Sequence, residues 1–502
     1  MKYNDCPIII IMFTVNAECT LLLLKINYIK MGLLTTISNE FKAAIGYQKD
    51  FESLLKRNDV SRAIYAMQDH SFDASRNLND YHIHTHEVMK RRDKAVFDKR
   101  DNFLRWQKRW RIPIPYQEYI NEIALVFLYG RPVKWSQASD GTDEAFEKYK
   151  QTLQDVRFDA HVREAKRLAG AEGSSAILYH VYNENDKPRL LLNVLSKSNN
   201  DNIYTIRNQY RQLKAFGWGY YLTGSGGKSN YHVNIYTSHK IHYCKRAKTG
   251  WDVEVKDNPI GKIPVILFEQ DPEHESVQLM IERYENKQSV DADVNDRFAN
   301  PAMVATAEVL NSLPKQEEEA KLFILKEGGE INYLTWDQSS ASKNEEYERL
   351  DNHILSKSFT PRIDFETMKG LSNVSGKALM QMMMPAVIKA ERRKETHDGY
   401  MKRTANLMIA ILGNVLDYKN KAKYDALKVT HEFQEPFNED VSAILSDLLK
   451  QYEAGALSLE TLLESSYLVK NTELELKRIK KDQADNFERQ KELNVMDVFG
   501  VN

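Results

Sequence analysis

GKALMQMMMPAVIKAERRKETHDGYMKRTANLMIAILGNVL, residues 376–416, is the stretch on which the fold turns. Leu379, Met382, Met383, Ala386, Val387 and Ala390 recur at helical spacing at its start, and Leu407, Met408, Ile411, Leu412 and Val415 do so at its end. One helix over this span would run roughly 60 Å at about 1.5 Å per residue. Pro385 and Gly399 predict kinks or breaks in it. Its middle, KAERRKETHDGYMKRT, is polar all round. A helix of that kind is stable only with neighbours or contacts between subunits.

SFTPRIDFETMKGLSNVSG, just upstream, reads as a polar loop bearing Gly and Ser. A helix precedes it at about 339–358. Before that comes a compact insert, 299–338, with AMVATAEVL, the charged turn PKQEEEAK and a hairpin around Gly328-Gly329 in KLFILKEGGEINYLTW. Another helix, 276–298, carries the stripe Val277, Met280, Ile281, Tyr284, extended by Val290, Val294 and Phe298, and Asn300-Pro301 ends it. Residues 174–270 hold eight short runs rich in Val, Ile and Tyr between Gly, Asn and Asp clusters, an antiparallel region of hairpins. IPIPYQEYINEIALVFLYGRPVKW (112–135) is an extended lead-in followed by a helix that Gly130 and Pro132 stop, and 143–171 reads as one further helix. Residues 38–110 are charged and largely helical in pattern. Downstream, 438–468 is helical and the charged tail from Asn471 is partly disordered in this reading. The fold class is α+β.

The 502 residues suggest about three domains. Lys+Arg 70 against Asp+Glu 71 gives a formal net charge of -1. A protein that coats nucleic acid carries a strong basic excess, so any DNA contact here is loose or confined to a few residues. Cys6, Cys19 and Cys244 form neither a disulfide framework nor a zinc spacing, which fits a reducing cytosol. PIIIIMFTVNAECTLLLL (7–24) is apolar enough to suggest an anchor, but Asn16 and Glu18 interrupt it and only Lys2 gives it a basic start. MGLLTTISNEF reads as an ordinary beginning, so Met31 is the expected translation start and residues 1–30 an upstream extension.

The local motifs argue against catalysis. TGSGGKS (223–229) lacks the first glycine of a phosphate loop, since Leu222 stands there, and a strand follows it where a helix is needed. It reads as a hairpin loop. HIHTHE (82–87) could place three imidazoles on one strand face, but the H-E-x-x-H spacing fails at Val88, Met89 and Lys90, and it reads as a solvated segment without metal. DADVND (291–296) begins like a calcium loop, yet Asp296 and Ala302 occupy the positions that need Gly and Glu. Asp293 and Arg297 suit an ion pair one helical turn apart. Lys90 to Arg111 interleaves basic residues with Phe97, Phe103, Leu104, Trp106 and Trp110, a mix that can bind nucleic acid. The plainer reading is an amphipathic surface segment. No cofactor is expected.

The order helix, insert, helix, polar loop, long helix resembles the portal proteins of tailed phages, the long-tailed type in particular. The stretches that carry it are IPIPYQEYINEIALVFLYGRPV, NPIGKIPVILFEQ, MIERYENKQSVDADVNDRFANPAMV, FETMKGLSNVSGKALM and AGALSLETLL, together covering about residues 40–470. The resemblance implies a portal-like fold: a helical and β wing (31–272 and 375–435), stem helices (273–298 and 339–358), a small α/β clip (299–338), a tunnel loop (359–374) and a crown after 436. It implies a ring of copies, usually dodecameric, at the capsid vertex, assembled in the host cytoplasm. Double-stranded DNA would pass through it. Terminase and later head-completion or adaptor proteins would dock at the clip, with major capsid and scaffolding proteins as further partners. Arg362, Lys369 and Asn373 are the candidate channel residues of the tunnel loop, with Arg362 and Lys369 the ones expected to touch phosphates. The competing role for both is loop packing or ion pairs between subunits. Lys315, Lys321, Lys326 and Glu330 are the candidate docking residues of the clip. Other readings are a different virion structural or adaptor protein, a nucleotide hydrolase using Gly226, Gly227 and Lys228, and a protein anchored by residues 7–24.

Overall fold

The computed structural model describes residues 47–97, 101–185, 187–223, 227, 229–298, 303–305, 331–333, 340–363, 376–434, 441–465, 472 and 475–484. Residues 1–30, the four candidate docking residues Lys315, Lys321, Lys326 and Glu330, and the candidate channel residues Lys369 and Asn373 lie outside these. The chain divides into two units, one taking in residues up to Ser372 with Gln381–Gln434, the other Asn373–Met380 with residues from Glu435 on.

In the first unit, helices α1 (Tyr47–Lys56) and α2 (Val60–Ala66) cover one face of a six-stranded antiparallel sheet. The Asp59 side chain accepts from the Arg62 amide and starts α2. The strands run β1 (Gln68–Asp69), β7 (Asn202–Arg207), β8 (Leu213–Thr223), β9 (Ser229–Tyr236), β10 (Lys240–Ala247), β11 (Gly250–Asp257). Alternation along each strand divides their residues. Tyr204, Ala215, Val233, Ile235 and Cys244 meet Phe51, Leu55 and Ala63 of the helices, while Ile203, Phe216 and Tyr236 face the other way. There they meet a second sheet, β12 (Val265–Glu269), β5 (Ser174–Glu184), β6 (Lys187–Leu195), through Ala176, Leu178 and Val265. The opposite side of β5, Ile177 and Tyr179, enters the largest core with helices α4 (Tyr116–Tyr129), α5 (Asp143–Asp155) and α6 (Phe158–Glu172). The long helix α9 (Gly376–Ile411) adds Met401, Leu407, Met408 and Ile411 to that core. Each such buried side chain contributes about 1.5–3 kcal/mol. The joint at Thr223 and Ser229 is a hairpin connection between β8 and β9.

Several sequence expectations need correction. Residues 143–171 form two helices, because Arg157 adopts a left-handed conformation (φ 51) between α5 and α6. Residues 94–107 form a hairpin of β2 (Lys94–Phe97) and β3 (Phe103–Gln107), not a helix; helix α3 (Ser71–Tyr81) and a single tight turn at Glu87–Lys90 precede it. The long helix runs unbroken through Pro385 and Gly399, then widens into a π-turn over Leu412–Leu416. Short strands β4 (Lys134–Gln137) and β15 (Val429–Glu432) pair beside it, with α10 (Lys421–Ala426) between the π-turn and β15.

Helices α7 (Gln278–Phe298) and α8 (Ser340–Lys357) pack together through Tyr284 and Tyr347, whose ring centroids are 5.4 Å apart. Glu346 pairs with Arg283 at 3.0 Å and with Lys287, and the Tyr347 hydroxyl donates to Asp291 at 2.5 Å. Ile120, Val277, Ile281 and Ile354 close the core at the base of the pair. Between them, β13 (Met303–Ala305) pairs antiparallel with β14 (Ile331–Tyr333). The expected turn at Gly328-Gly329 lies outside the described residues. In the second unit, the helical segment expected at 438–468 holds α11 (Val441–Glu453) and α12 (Leu459–Ser465), and Gly455 turns the chain between them at φ 71. Residues 475–484 of the tail are helical.

Candidate functional site

The loop after α8 leaves its helix through a defined cap. The Thr360 amide donates to the Leu355 carbonyl at 2.9 Å and the Phe359 amide to that of Ser356 at 3.3 Å, with Phe359 left-handed at φ 56. This is a Schellman ending with phenylalanine at the position that usually holds glycine, which stores about 1–2 kcal/mol of backbone strain. The next residues are clamped from α4. The Tyr119 hydroxyl donates to the Pro361 carbonyl at 2.8 Å and accepts from the Ile363 amide at 2.9 Å. The Tyr116 hydroxyl donates to Asp351 at 2.6 Å, and the other oxygen of that carboxylate pairs with Arg362. Burial, and then the Asp351 carboxylate beside it, push the Tyr116 phenol above its ordinary range. Ile114, Pro115, Leu355 and Ile363 complete a cleft of about 350 Å³ above these hydroxyls. Of the three sequence-predicted channel residues, the structure therefore places only Arg362. Its side chain is 45% exposed, and its guanidinium is held by Asp351 and, at 3.4 Å, Asn352 of its own chain.

A second feature ties this root to the rest of the unit. Glu273, at the turn before α7, is fully buried and takes cations from two helices. Lys166 of α6 donates to its Oε1 at 2.7 Å, Arg393 of α9 lies 3.2 Å from the same oxygen, and Lys389 of α9 lies 2.9 Å from Oε2. Gln270 donates to Oε1 as well, at 2.9 Å. Burial alone would push the Glu273 carboxyl up, but the charges of Lys166, Lys389 and Arg393 win and hold it well below the usual range. Burial holds Lys166 below the ordinary lysine value, against the pull of Glu273. Lys389 also donates to the Ser358 carbonyl at 3.1 Å, at the C-terminus of α8, where a helix dipole favours a cation. One lysine thus joins the long helix, the carboxylate before α7 and the start of the loop. Further along α9, Tyr400 accepts from the Glu269 amide and donates to its carbonyl, and Arg403 donates to the Val265 and Ile263 carbonyls. These are the neighbours that its polar middle required.

Sequence reasoning missed Glu273, Lys166 and Tyr119. Lys166 carried a signal: it sits on the apolar stripe of α6 with Val162, Ala165 and Ala169, where a lysine needs a buried partner. His86, expected in a solvated segment, is buried instead. Its Nδ1 lies 2.7 Å from Glu285 of α7, which also accepts from the Ile114 amide at 2.7 Å. His82 and His84 are exposed. Asp293 pairs with Arg91 at 2.9 Å and accepts from the Trp110 amide at 2.7 Å; the side chain of Arg297, its expected partner, lies outside the described residues.

No curated relative matches the sequence. Among solved structures, the chain overlaps the neck of an empty GTA particle computed with C6 symmetry, at 9% identity and TM-score 0.38, over 72% of this chain and 89% of that one. It overlaps the neck of a native GTA particle computed with C12 symmetry at 10% and 0.38, over 75% and 95%. A chain in the virion of a native gene transfer agent particle overlaps at 10% and 0.33, over 68% and 86%. The sequence model of the family described as phage portal protein, SPP1 Gp6-like, matches residues 62–488. That span takes in the sheets, both packed helices, the loop and the long helix, and so the chain belongs to the SPP1 Gp6-like phage portal protein family.

Proposed function

We propose that the chain is one subunit of a homo-oligomeric ring, a dodecamer in the working particle, that forms the DNA channel at one vertex of a phage capsid. The observation that carries this is the family match across residues 62–488. In this reading, residues 31–272 and 375–435 are the wing, 273–298 and 339–358 the stem, 299–338 the clip, 359–374 the tunnel loop and 436 onward the crown. Terminase docks at the clip during packaging and head-completion proteins replace it, with Lys315, Lys321, Lys326 and Glu330 as the docking residues. Capsid and scaffolding proteins surround the wing, and the subunit works in the virion after assembly in the host cytoplasm. The chain does no chemistry of its own.

A channel through which DNA slides must not grip it, because phosphate contacts give strong, salt-dependent affinity. The formal charge of -1 suits that requirement. Arg362 and Lys369 supply the weak contact and Asn373 lines the loop. Because Asp351 holds Arg362 at the loop root, its phosphate contact competes with an ion pair. Replacing Arg362 and Lys369 together with Ala is expected to lower packaged DNA without breaking the ring, and unchanged packaging would remove both from the channel.

Electron microscopy of the purified protein begun at Met31 tests the main reading. Rings with a central hole are the expected result. A monomer that assembles neither alone nor with scaffold, and that binds nucleotide, would transfer the assignment to Gly226, Gly227 and Lys228, of which only Gly227 is among the described residues.

A further inference from the structure

The hairpin β2–β3 stands apart from every core of the unit. All five residues of β3 are exposed, Phe103 and Trp106 at 50% and 64%. Two paired strands alone are marginal in water. At its base this hairpin is held where Arg91 pairs with Asp293, the Trp110 indole donates to Asp296 at 2.5 Å and Arg111 pairs with Asp93 at 2.7 Å. The register places Lys94, Val96, Arg105 and Gln107 on one face and Ala95, Phe97, Phe103 and Trp106 on the other, with Leu104 at a bulge between them. One face is basic, the other apolar. The segment from Lys90 to Arg111 holds ten Lys or Arg against three Asp, in a chain whose formal charge is -1, so the rest of the chain is net acidic. Phosphates would answer the basic face and leave the apolar face bare; a polypeptide strand answers both.

The same chain offers such a strand. Of the longer sheet edges among the described residues, β12 is covered by α9 through Tyr400 and Arg403. β6 ends its sheet with Lys187, Pro188 and Arg189, where like charge and a missing amide oppose a basic partner. β11 ends the six-stranded sheet over eight residues. Asp252 and Glu254 stand on one of its faces, with Lys256 paired to Glu254 at 3.1 Å. Trp251 and Val253 stand on the other beside the helix-covered core, and Val255 on that face is 42% exposed. An acidic face and an apolar face thus match the basic and apolar faces of the hairpin in the same order.

We propose that β3 adds to the free edge of β11 in a neighbouring copy of the chain, extending its sheet and placing Arg105 beside Asp252 and Glu254. This rests on the ring of copies proposed above. A contact between unlike surfaces on successive copies is the kind that closes into a ring, and strand addition supplies main-chain hydrogen bonds as its basis.

The test uses the full chain with Arg105→Cys combined in turn with Asp252→Cys and with Glu254→Cys. Each is oxidised, run without reductant and imaged by electron microscopy. The expected result is a ladder of linked subunits from at least one pair, with dimers at most from the single-cysteine chains. Arg105→Cys with Arg189→Cys on β6 is expected to give no ladder. Rings without a ladder from either β11 pair would overturn the strand addition and leave the ring standing. A ladder from the β6 pair alone would move the contact to that edge and overturn the proposal. Absence of both rings and ladder under assembling conditions would overturn the ring reading and the proposal together. As a separate check, Arg105→Glu is expected to reduce ring yield at least tenfold and Glu254→Lys to restore it. A hairpin that cross-links to DNA through Trp106, with no ladder, would assign it to nucleic acid instead.

Discussion

Replacing Glu273 by Gln removes the one negative charge from a group of three cations. Lys166 is fully buried, Lys389 is 13% exposed and Arg393 24%. Breaking a buried ion pair from one side costs about 3–5 kcal/mol, because the remaining charge stays out of water. Lys389 and Arg393 have a path to solvent and can relax; Lys166 has none. The expected loss is therefore at the lower end, about 3 kcal/mol. With a melting entropy of about 2.1 cal/mol/K per residue, a unit of this size melts about 3 °C lower for that loss. Glu273→Gln compared with the parent chain by calorimetry and urea unfolding gives the answer. Adding Lys166→Met to Glu273→Gln should recover most of the loss, since it removes the stranded charge. A Glu273→Gln chain within about 0.5 kcal/mol of the parent, or a double variant worse than the single, would refute the view that these charges compensate one another. The carboxyl sits well below its ordinary value, so its contribution is present above the unfolded pKa, near 4.5, and is lost as the pH falls through the folded value.

His274 predicts a second pH dependence, at higher pH. Burial lowers its folded pKa from 6.5 to about 4. Between those values the unfolded chain binds the extra proton, so stability falls as pH drops from about 6.5 to 4, by up to about 3 kcal/mol; His274→Gln should flatten that slope in urea titrations. Gly170→Ala should cost about 2–4 kcal/mol. A methyl there would lie 1.9 Å from the Asn121 amide oxygen, whose side chain is fully buried and donates to the Arg167 carbonyl at 2.8 Å. A urea midpoint unchanged within error would show that Asn121 moves freely. Tyr119→Phe removes the hydroxyl that both Pro361 and Ile363 use. Hydrogen exchange at the Ile363 amide should speed up about five- to tenfold, the equivalent of one ordinary hydrogen bond, and unchanged exchange would mean that the loop root is held elsewhere.

The long helix was legible because its two apolar ends keep helical spacing, and its polar middle correctly called for neighbours. Which neighbours could not be read, since Tyr400 and Arg403 meet backbone groups 131 to 140 residues away. Eight strands between 174 and 270 were legible from their β-branched and aromatic runs, but not their division into two sheets, which depends on which face of each strand is covered. The hairpin at 94–107 was hidden because its strands are only four and five residues long and sit inside a densely charged segment. The split at Arg157 had no glycine or proline to announce it. His86 was misread because its partner Glu285 lies 199 residues on. At the loop, the sequence singled out Arg362; the tyrosine clamp and the carboxylate that hold it depend on α4 and α8 coming together.

The largest core draws on residues far apart in the chain, and this bears on how the protein is made. The α6 and β5 faces that pack against Met401, Leu407 and Ile411 leave the ribosome long before α9 does. Asn414 reaches back to the Ile260 carbonyl across 154 residues. At roughly 5–20 residues per second, that interval leaves the apolar face of the half-built unit uncovered for about 10–30 s. Synthesis halted before α9 would release a chain with well-formed sheets and no lid on its main core, the kind of species that aggregates or is degraded. The main core closes only after that helix has docked, so the last quarter of the chain sets the clock for the folding of the whole unit.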